Sequence, residues 1–503
     1  MKEAKRHHPL QIAYDLWGFI KNTFFIIVIL FVFQAGSDSW LVKYGRIAFL
    51  ALVAVTIIYL LFKWFTNKYT LTQTAFVLTE GVFSKKRKTV PYSKVQHAKR
   101  ETKLFHRIFR VTSISFETSS QGDDSSVTFH VVTRADATRL ENQVSKQYAG
   151  VEDADQAVVY SVDETKPGSE VESEADLGRI VHFSPTKKEV IKASFTSLSF
   201  LAVIPILGSQ VNKFDDILPN DQQAEGMVGF ILDRWWLIAL TIILIVCLLM
   251  IGGVIWTFLK YGKYEIASDN EKVYITKGVL EETAFSITKR NVQAIQIQQS
   301  FMKRILGLAE VKLVVAGALG DDGADVNSLY PFLPVKKAQQ LVEEILPSYR
   351  LTDSMEFLPR ESFWFRMLRP SWFWIIATGV LFFWKPDLFG LSEYWWVFSL
   401  ILLVLIVMSR ILDYKHTGYT INDTFIQLKT GGFGTNLFLS KRSSVIEVGV
   451  SRNIMQKKLG LASLATVNRA KPVLHTTMDD VTEEWADEFL AWYQDRNQEV
   501  TLK

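Results

Sequence analysis

The apolar residues of this chain are concentrated in six stretches that follow one another in pairs. These stretches are 17–33, 47–62, 193–211, 235–259, 371–384 and 394–409. A helix needs about 20 mostly apolar residues to cross the hydrocarbon core of a bilayer. Stretch 235–259 reaches that length by itself, and the others reach it when their uncharged flanks are included. The pattern predicts six transmembrane helices in three helical hairpins, in preference to the core helices of a soluble protein.

The charges that flank these stretches predict their orientation. Lys and Arg near the stretch ends number five on the side of the three short connections and fifteen on the side of the termini. Cytoplasmic flanks of membrane helices carry the excess of Lys and Arg. We therefore expect a multi-pass cell-membrane protein with both termini and all large polar segments in the cytoplasm.

The polar segment after each pair of apolar stretches follows one recurring pattern. Each copy opens with a similar tetrad: Tyr69-Thr-Leu-Thr, Tyr264-Glu-Ile-Ala and Tyr419-Thr-Ile-Asn. Each continues with a glycine, then a Val-Gln or Val-Ile pair, then a related octet. The octets begin at Leu104, Phe301 and Ile454. Self-similarity at this level indicates three copies of one module.

Within a copy, the pattern predicts mostly strands followed by one helix. Short runs with alternating apolar residues, such as 76–78, 114–116, 127–132 and 425–428, are typical of strands. The octet predicts one or two helical turns that end at Gly307 and Gly460, where glycine suits a left-handed residue. Arg110 stands at that position in the first copy and predicts a less favourable helix end. Helical patterns at 134–146, 335–345 and 482–493 close the copies. A small antiparallel barrel or sandwich capped by a C-terminal helix fits this order.

Two apolar spans followed by this module resemble the bacterial membrane-flanked pleckstrin-homology-like (PH-like) domains. The resemblance depends on the opening tetrad, on the stretch Pro-Tyr-Ser-Lys-Val-Gln at 91–96, and on the Leu-x-x-Arg-x-x-Gly-Leu-like octet. Three such units in one chain look like the YdbT-like proteins of Gram-positive bacteria. The third copy follows the pattern loosely, since Ser440-Lys-Arg-Ser-Ser-Val-Ile446 replaces the second motif. The resemblance implies a PH-like barrel in each copy, no catalytic residues, and a smaller membrane-flanked relative as a partner.

The predicted fold class is therefore an α+β membrane protein. It has six transmembrane helices in three hairpins, and each hairpin is followed by a cytoplasmic PH-like antiparallel β-barrel capped by a C-terminal helix. The predicted segments are hairpins at 1–64, 181–260 and 349–412, PH-like modules at 65–148, 261–348 and 413–497, and an acidic, disordered linker at 149–180.

Composition removes several classes of function. The 503 residues carry a formal charge of +4, and Cys247 is the single cysteine, which excludes a disulfide framework and a Cys-rich metal site. The sequence contains no P-loop, no zinc-protease motif, no nucleophile elbow and no dinucleotide fingerprint. Gly431–Gly434 is typical of a strand turn, and the glycine-rich, acidic segment 317–325 lacks the spacing of a calcium loop. We expect neither a cofactor nor a metal.

The small net charge conceals two segments of opposite sign. Residues 85–110, here called the basic run, carry +9, whereas 151–178 carry nine acids against one lysine. The basic residues of the run are Lys85, Lys86, Arg87, Lys88, Lys94, Lys99, Arg100, Lys103, Arg107 and Arg110. Near an anionic leaflet such residues favour binding of lipid headgroups. They fit an acidic protein partner too, and a solvated surface that sets topology is the alternative. The run has no interleaved stacking aromatics, so we expect no nucleic acid.

Three classes of function remain open. A non-enzymatic adaptor would present three modules to membrane lipids or partner membrane proteins, in envelope maintenance or defence. A transporter or channel would need ionisable groups inside the spans, and the last four stretches have none. A lipid-modifying enzyme would need a catalytic constellation. The sequence favours the adaptor and leaves the ligand and the oligomeric state open.

Overall fold

The computed structural model describes residues 5–34, 36, 39–118, 126–148, 179–194, 235–316, 328–385, 394–470 and 472–498. The chain divides into two compact units. One contains Met1–Pro185 and Ile255–Thr288, and the other contains Thr186–Val254 and Lys289–Lys503. Residues 149–178 of the predicted acidic linker and the segment 317–325 lie outside the described residues, and Ile180, the last residue of that linker, begins a strand.

Most of the predicted apolar stretches form helices. The helices are α1 (Leu10–Ile27, continued by a π-helical segment Val28–Phe33), α2 (Trp40–Thr66), α3 (Leu104–Ile108), α4 (Arg134–Tyr148), α5 (Lys187–Ser194), α6 (Trp235–Tyr261), α7 (Phe301–Ile305), α8 (Val335–Ile345), α9 (Arg360–Leu368), α10 (Trp372–Trp384), α11 (Trp395–His416), α12 (Ile454–Leu459) and α13 (Glu483–Gln494). Among the described residues, Val42–Thr66, Arg360–Trp384 and Trp395–His416 are long and apolar enough to cross a membrane. Most of stretch 193–211 lies outside the described residues, so six spans are not confirmed.

The strands form four open antiparallel sheets. They are β1 (Lys5–Arg6), β2 (Lys68–Leu71), β3 (Ala75–Glu80), β4 (Lys86–Pro91), β5 (Val95–Thr102), β6 (Val111–Thr118), β7 (Ser126–Thr133), β8 (Ile180–Phe183), β9 (Glu265–Ser268), β10 (Lys272–Lys277), β11 (Glu282–Thr288), β12 (Val292–Gln299), β13 (Leu308–Val315), β14 (Ser328–Pro334), β15 (Glu356–Phe357), β16 (Gly418–Ile421), β17 (Phe425–Thr430), β18 (Thr435–Lys441), β19 (Val445–Ser451), β20 (Leu461–Asn468) and β21 (Leu474–Thr482). The first unit contains the sheets β1-β2-β3-β4 and β7-β6-β5-β11-β10-β9-β8. The second contains β14-β13-β12-β18-β17-β16-β15 and β19-β20-β21.

Each seven-stranded sheet combines strands from two successive copies. In the first unit, β5 of the first copy pairs with β11 of the second. In the second unit, β12 of the second copy pairs with β18 of the third. We call these pairings the β5–β11 joint and the β12–β18 joint. Closure of the predicted barrels is not confirmed, because at each joint the edge strand of one copy hydrogen-bonds to the next copy and no described sheet closes on itself.

The two sheets of the first copy pack face to face around an apolar core. Phe76 and Val90 come from one sheet, Phe116 and Phe129 come from the other, and Leu140 of α4 covers the open side. The third copy repeats this arrangement, with Phe438 and Leu464 on its two sheets and Phe489 on α13. Alternate residues of β3 (Phe76 and Leu78) and of β6 (Ile114 and Phe116) reach the core of the first copy, as the period of two predicts.

The predicted helical turns are confirmed in all three copies. A residue with a left-handed backbone follows each octet helix within two positions, with φ of 55° at Arg110, 65° at Gly307 and 64° at Gly460. The predicted C-terminal helices correspond to α4, α8 and α13. In the third copy, Asn453 and Gln456 form a reciprocal cap at the start of α12.

Candidate functional site

The loop between β3 and β4, residues 81–85, lies at the C-terminal end of the candidate membrane helix α2 in the first copy. Asn67 is the C-cap residue of α2, and its side-chain oxygen accepts a hydrogen bond of 3.0 Å from the backbone N–H of Gly81. Gly81 has φ of +114°, and a Cβ there would lie 1.9 Å from the carbonyl oxygen of Ser84. Only glycine allows this turn. We call residues 81–85 the first tip loop.

The other copies hold the same loop at the end of their own helix. In the second copy, the N–H of Val279 donates to the carbonyl oxygen of Leu259 in α6 at 2.9 Å. In the third, the N–H of Gly431 donates to the carboxylate of Asp413 in α11 at 3.2 Å. The three tip loops therefore share one position relative to their preceding helices.

The first tip loop carries an apolar side chain next to exposed basic ones. Phe83 is 96% exposed, whereas its equivalent Leu280 in the second copy is 43% exposed. Lys85, Lys86 and Arg87 follow it and are exposed. A bare aromatic ring beside cationic side chains is the combination found in proteins that lie at membrane interfaces.

Lys88 differs from its three exposed neighbours. It occupies the position of Phe285 and Phe438, which are buried core residues of the other copies. Its side chain is half-buried, and its ammonium group donates a hydrogen bond of 2.8 Å to the carbonyl oxygen of Ser126. Lys88 is therefore held against its own module.

A second group of the basic run lies around β5 and α3. Lys99 and Lys103 reach the carboxylate of Glu101 at 2.5 Å and 3.5 Å. Burial alone would raise the pKa of Glu101, but the two lysines outweigh burial and hold it below its usual value. These two lysines are thus partly neutralised within the module.

Arg100 makes an ion pair within its own module, whereas Arg107 contacts the second copy next to the β5–β11 joint. Arg100 contacts Glu141 of α4 at 2.7 Å, and burial nevertheless keeps the pKa of Glu141 above its usual value. Arg107 donates to the carbonyl oxygen of Val279, in the tip loop of the second copy, at 2.7 Å. The contact links α3 of the first copy to the loop that precedes β11.

The basic run therefore does not form one surface. Lys85, Lys86 and Arg87 share the first tip loop and the start of β4, while Lys99, Arg100, Lys103 and Arg107 contact groups of the module or of the joint. Lys94 lies exposed in the turn before β5, and Arg110 is the left-handed residue after α3. All ten remain candidate lipid or acidic-partner residues by charge, and the geometry distinguishes the first three.

Sequence reasoning missed Phe83. The signal was present, since an aromatic residue follows a Gly-Val pair between two strands and precedes four basic residues. Charge counting overlooks such a residue, and a lone Phe by itself predicts a core position because Phe is among the residue types most often buried. No group of His, Cys, Asp or Glu able to hold a metal ion is found in the part of the chain that the structure describes.

Comparison with known proteins agrees with the threefold architecture. Residues 24–148, 224–348 and 376–497 each match the family described as Bacterial PH domain. The chain is 27% identical to the transmembrane protein YdbT of Bacillus subtilis (strain 168), over 98% of this chain and 98% of that protein. No solved structure matches the chain. Since the matched segments cover most of the sequence in three copies, the chain belongs to the bacterial PH domain family.

Proposed function

We propose that this chain is a non-enzymatic, multi-pass membrane adaptor whose first PH-like module binds anionic phospholipid headgroups. The single observation that carries the proposal is the first tip loop. Phe83 is almost fully exposed beside Lys85, Lys86 and Arg87, and hydrogen bonding to Asn67 holds the loop at the end of a candidate membrane span. The ring would enter the interfacial region while the cations contact phosphate groups.

The proposal includes the finer membrane topology. Six helices would span the cell membrane as three hairpins, with both termini and all three modules on the cytoplasmic side. The tip loops would then face the inner leaflet, where anionic lipids attract basic side chains by about 1 kcal/mol each. The second and third copies lack this charge, since the residues that correspond to Lys85–Arg87 are Glu282–Ala284 in the second copy and Thr435–Leu437 in the third. Those modules would serve contacts with partner membrane proteins, a smaller membrane-flanked PH-like protein among them.

The test measures how close the tip lies to lipid headgroups. The full chain carrying Phe83→Cys in a Cys247→Ser background is labelled with a fluorophore in nanodiscs that contain headgroup-nitroxide lipid. Thr89→Cys, on the same hairpin, provides the reference label. Quenching should be stronger at 83 than at 89, and it should rise when phosphatidylglycerol replaces phosphatidylcholine.

Charge variants test the role of the basic residues. In the labelled chain, replacing Lys85, Lys86 and Arg87 by Gln should remove most of the dependence on anionic lipid. The matched control replaces exposed Lys457 and Lys458 of α12 by Gln and should leave the quenching unchanged. Equal quenching at 83 and 89 in both lipids would refute the proposal.

A further inference from the structure

In the part of the chain that the structure describes, two strands lack a neighbouring strand that their equivalents have. Strands β5, β12 and β19 are equivalent, since each follows a short turn and begins at the recurring valine: Val95, Val292 and Val445. β5 pairs with β11, and β12 pairs with β18. In the described residues, β19 stands at the end of its three-stranded sheet, and β4, the equivalent of β11 and β18, stands at the end of its four-stranded sheet.

The two internal joints use one register. Arg100 faces Ala284 in the β5–β11 joint, and Ile297 faces Leu437 in the β12–β18 joint. These are equivalent positions, because Ala284 and Leu437 each lie six residues after the tip-loop glycines Gly278 and Gly431. The corresponding residues on the two end strands are Val450 and Arg87.

We propose that β4 of one molecule pairs with β19 of a second copy of this chain and repeats the joint between molecules. The strands would run antiparallel with Val450 opposite Arg87, Val448 opposite Thr89 and Glu447 opposite Val90. The proposal does not depend on lipid binding by the first tip loop, because the contact is made by strand edges and not by Phe83.

The composition of β19 leaves its edge open to pairing. Natural edge strands are commonly protected by lysine, proline or a very short length. β19 spans Val445–Ser451, has one charged residue, Glu447, and contains no lysine or proline. Its side chain Ile446 is half exposed. Strand addition to such an edge satisfies the outer backbone groups of both strands.

Charge selects β4 as the strand that pairs. Helix α13 packs on β19 and contains the acids Glu483, Glu484, Asp487 and Glu488 without a basic residue. Arg452 bridges Glu483 and Asp487, which leaves Glu484 and Glu488 outside that ion-pair cluster. The β4 strand begins Lys86-Arg87-Lys88, after Lys85. This gives the proposed joint opposite charges on its two sides.

The same charges disfavour the wrong pairing. The β5 strand contains Lys99 and Arg100, so β4 from another molecule would meet like charge there. The strand that pairs with β5 in the structure is β11, and it begins with Glu282. Repulsion of this kind is a common source of specificity in strand and helix pairing. Since β4 and β19 are different surfaces, the contact is heterologous, and repeated addition gives a ring or an open chain.

Disulfide trapping in membranes tests the register directly. Two differently tagged full-length chains, both Cys247→Ser, are expressed together, one with Val450→Cys and the other with Arg87→Cys. Residues directly opposite across an antiparallel pair have Cα atoms about 4.5–5.5 Å apart, which lies within the range of about 4.4–6.8 Å that a disulfide spans. Mild oxidation should give a species that contains both tags.

The internal joint supplies a matched positive control, and the neighbouring residue supplies a negative one. Ile297→Cys with Leu437→Cys in one chain occupies the equivalent pair and should form an intramolecular disulfide. Val450→Cys with Lys86→Cys is out of register by one residue, so its side chains point to opposite faces of the sheet and the yield should fall at least fivefold. Val448→Lys on the β19 edge should lower the yield of the 450–87 pair to a similar extent.

Two results would overturn the proposal. One is an absent 450–87 species while the internal control forms in the same membranes. The other is capture of a different protein by a photocrosslinker at Val450, with no second copy of this chain in the product; the edge would then belong to another partner. Loss of lipid-dependent quenching at position 83 would leave the trapping result unaffected, so the two proposals can fail separately.

Discussion

The first and third copies place an ion pair at the same position with opposite polarity. In the first, Lys63 of α2 contacts Asp15 of α1 at 3.1 Å. In the third, Arg366 of α9 pairs with Asp413 of α11. The positions correspond, because Asp15 and Arg366 each lie ten residues after Lys5 and Glu356, which occupy equivalent places opposite the opening tyrosines. The geometry of the helix pair is thus kept while the charges are exchanged.

The surroundings of the two pairs differ more than the pairs themselves. The Lys63 and Asp15 side chains are 37% and 20% exposed, whereas Arg366 is 8% exposed and also contacts Asp480, which is fully buried. Asp480 has further partners in Arg369 and Gln456. The third copy therefore joins its helices to its module through a buried ionic network.

In the first copy, the contact between helix α1 and the module is made by the aromatic rings of Tyr14, His106 and His130. His106 is equivalent to Gln456, and its Nε2 lies 2.8 Å from the carbonyl oxygen of His130. Tyr14 of α1 stacks on His106 at 5.0 Å and on His130 at 5.8 Å between ring centroids. Burial lowers the pKa of both histidines, which favours their neutral forms. The same fold therefore accommodates an ionic network in the third copy and stacked aromatic rings in the first, at the contact between helix and module. How much each charge contributes to stability depends on how deeply it is buried.

The largest expected effect comes from breaking the buried network. Arg366→Met should destabilise the third copy by about 3–5 kcal/mol, because it removes one partner of the buried Asp480 carboxylate. Lys63→Met should cost at most about 1 kcal/mol in the first copy, since that pair is partly exposed. Hydrogen exchange of the β21 and β7 peptides in nanodiscs measures the opening free energy of each copy.

Arg366→Lys is the control variant, because it keeps the positive charge but not the guanidinium geometry. It should restore part of the stability that Arg366→Met loses. Similar destabilisation by Arg366→Met and Lys63→Met would show that burial does not distinguish the two pairs.

The stability of the first copy should depend on pH through a buried histidine that the other two copies lack at the equivalent position. His97 in β5 is buried, and burial lowers its pKa from 6.5 to about 4, whereas Ala294 and Glu447 stand at the equivalent positions. The unfolded chain binds a proton near pH 6.5 and the folded chain does not, so stability is complete above that pH and falls as the pH decreases towards 4. The loss should approach about 3 kcal/mol.

The measurement is the opening free energy of the β5 and β11 peptides by hydrogen exchange between pH 7 and 4.5. His97→Ala introduces the residue that the second copy has at this position, and it should make the opening free energy less dependent on pH in this range. The other histidines whose pKa is lowered are present in both proteins. An unchanged slope in His97→Ala would assign the pH dependence to those other groups.

The sequence predicted which helices and strands each copy contains better than it predicted which strands pair with one another. The helices α4, α8 and α13 and the left-handed ends at Gly307 and Gly460 follow from local patterns, and the structure has them. The pairing of β5 with β11 could not be predicted in this way, because alternation fixes which face of a strand is buried but not which strand lies beside it. The edge residues of β5 suit a closed barrel and a shared sheet equally well.

The candidate site shows the same limit. Charge counting identified all ten basic residues of the basic run, but only contacts show that Lys88 is held by Ser126 and that Arg107 reaches Val279. The exposure of Phe83 depends on how Gly81 turns the chain against Asn67, a contact between segments that the sequence does not pair.

The smallest expected effect lies at the left-handed residue that ends the octet helix. A side chain with Cβ costs about 1–2 kcal/mol there, and glycine recovers part of this at the expense of backbone entropy. Arg110→Gly should therefore stabilise the first copy by about 0.5–1 kcal/mol, and Gly460→Arg should destabilise the third by a similar amount. Opening free energies of the β6 and β20 peptides measure both changes. Arg110→Ala removes the same charge while keeping Cβ, so it should leave stability nearly unchanged. A gain in Arg110→Ala equal to that in Arg110→Gly would mean that the charge of the basic run, and not the backbone, sets the difference between the two copies.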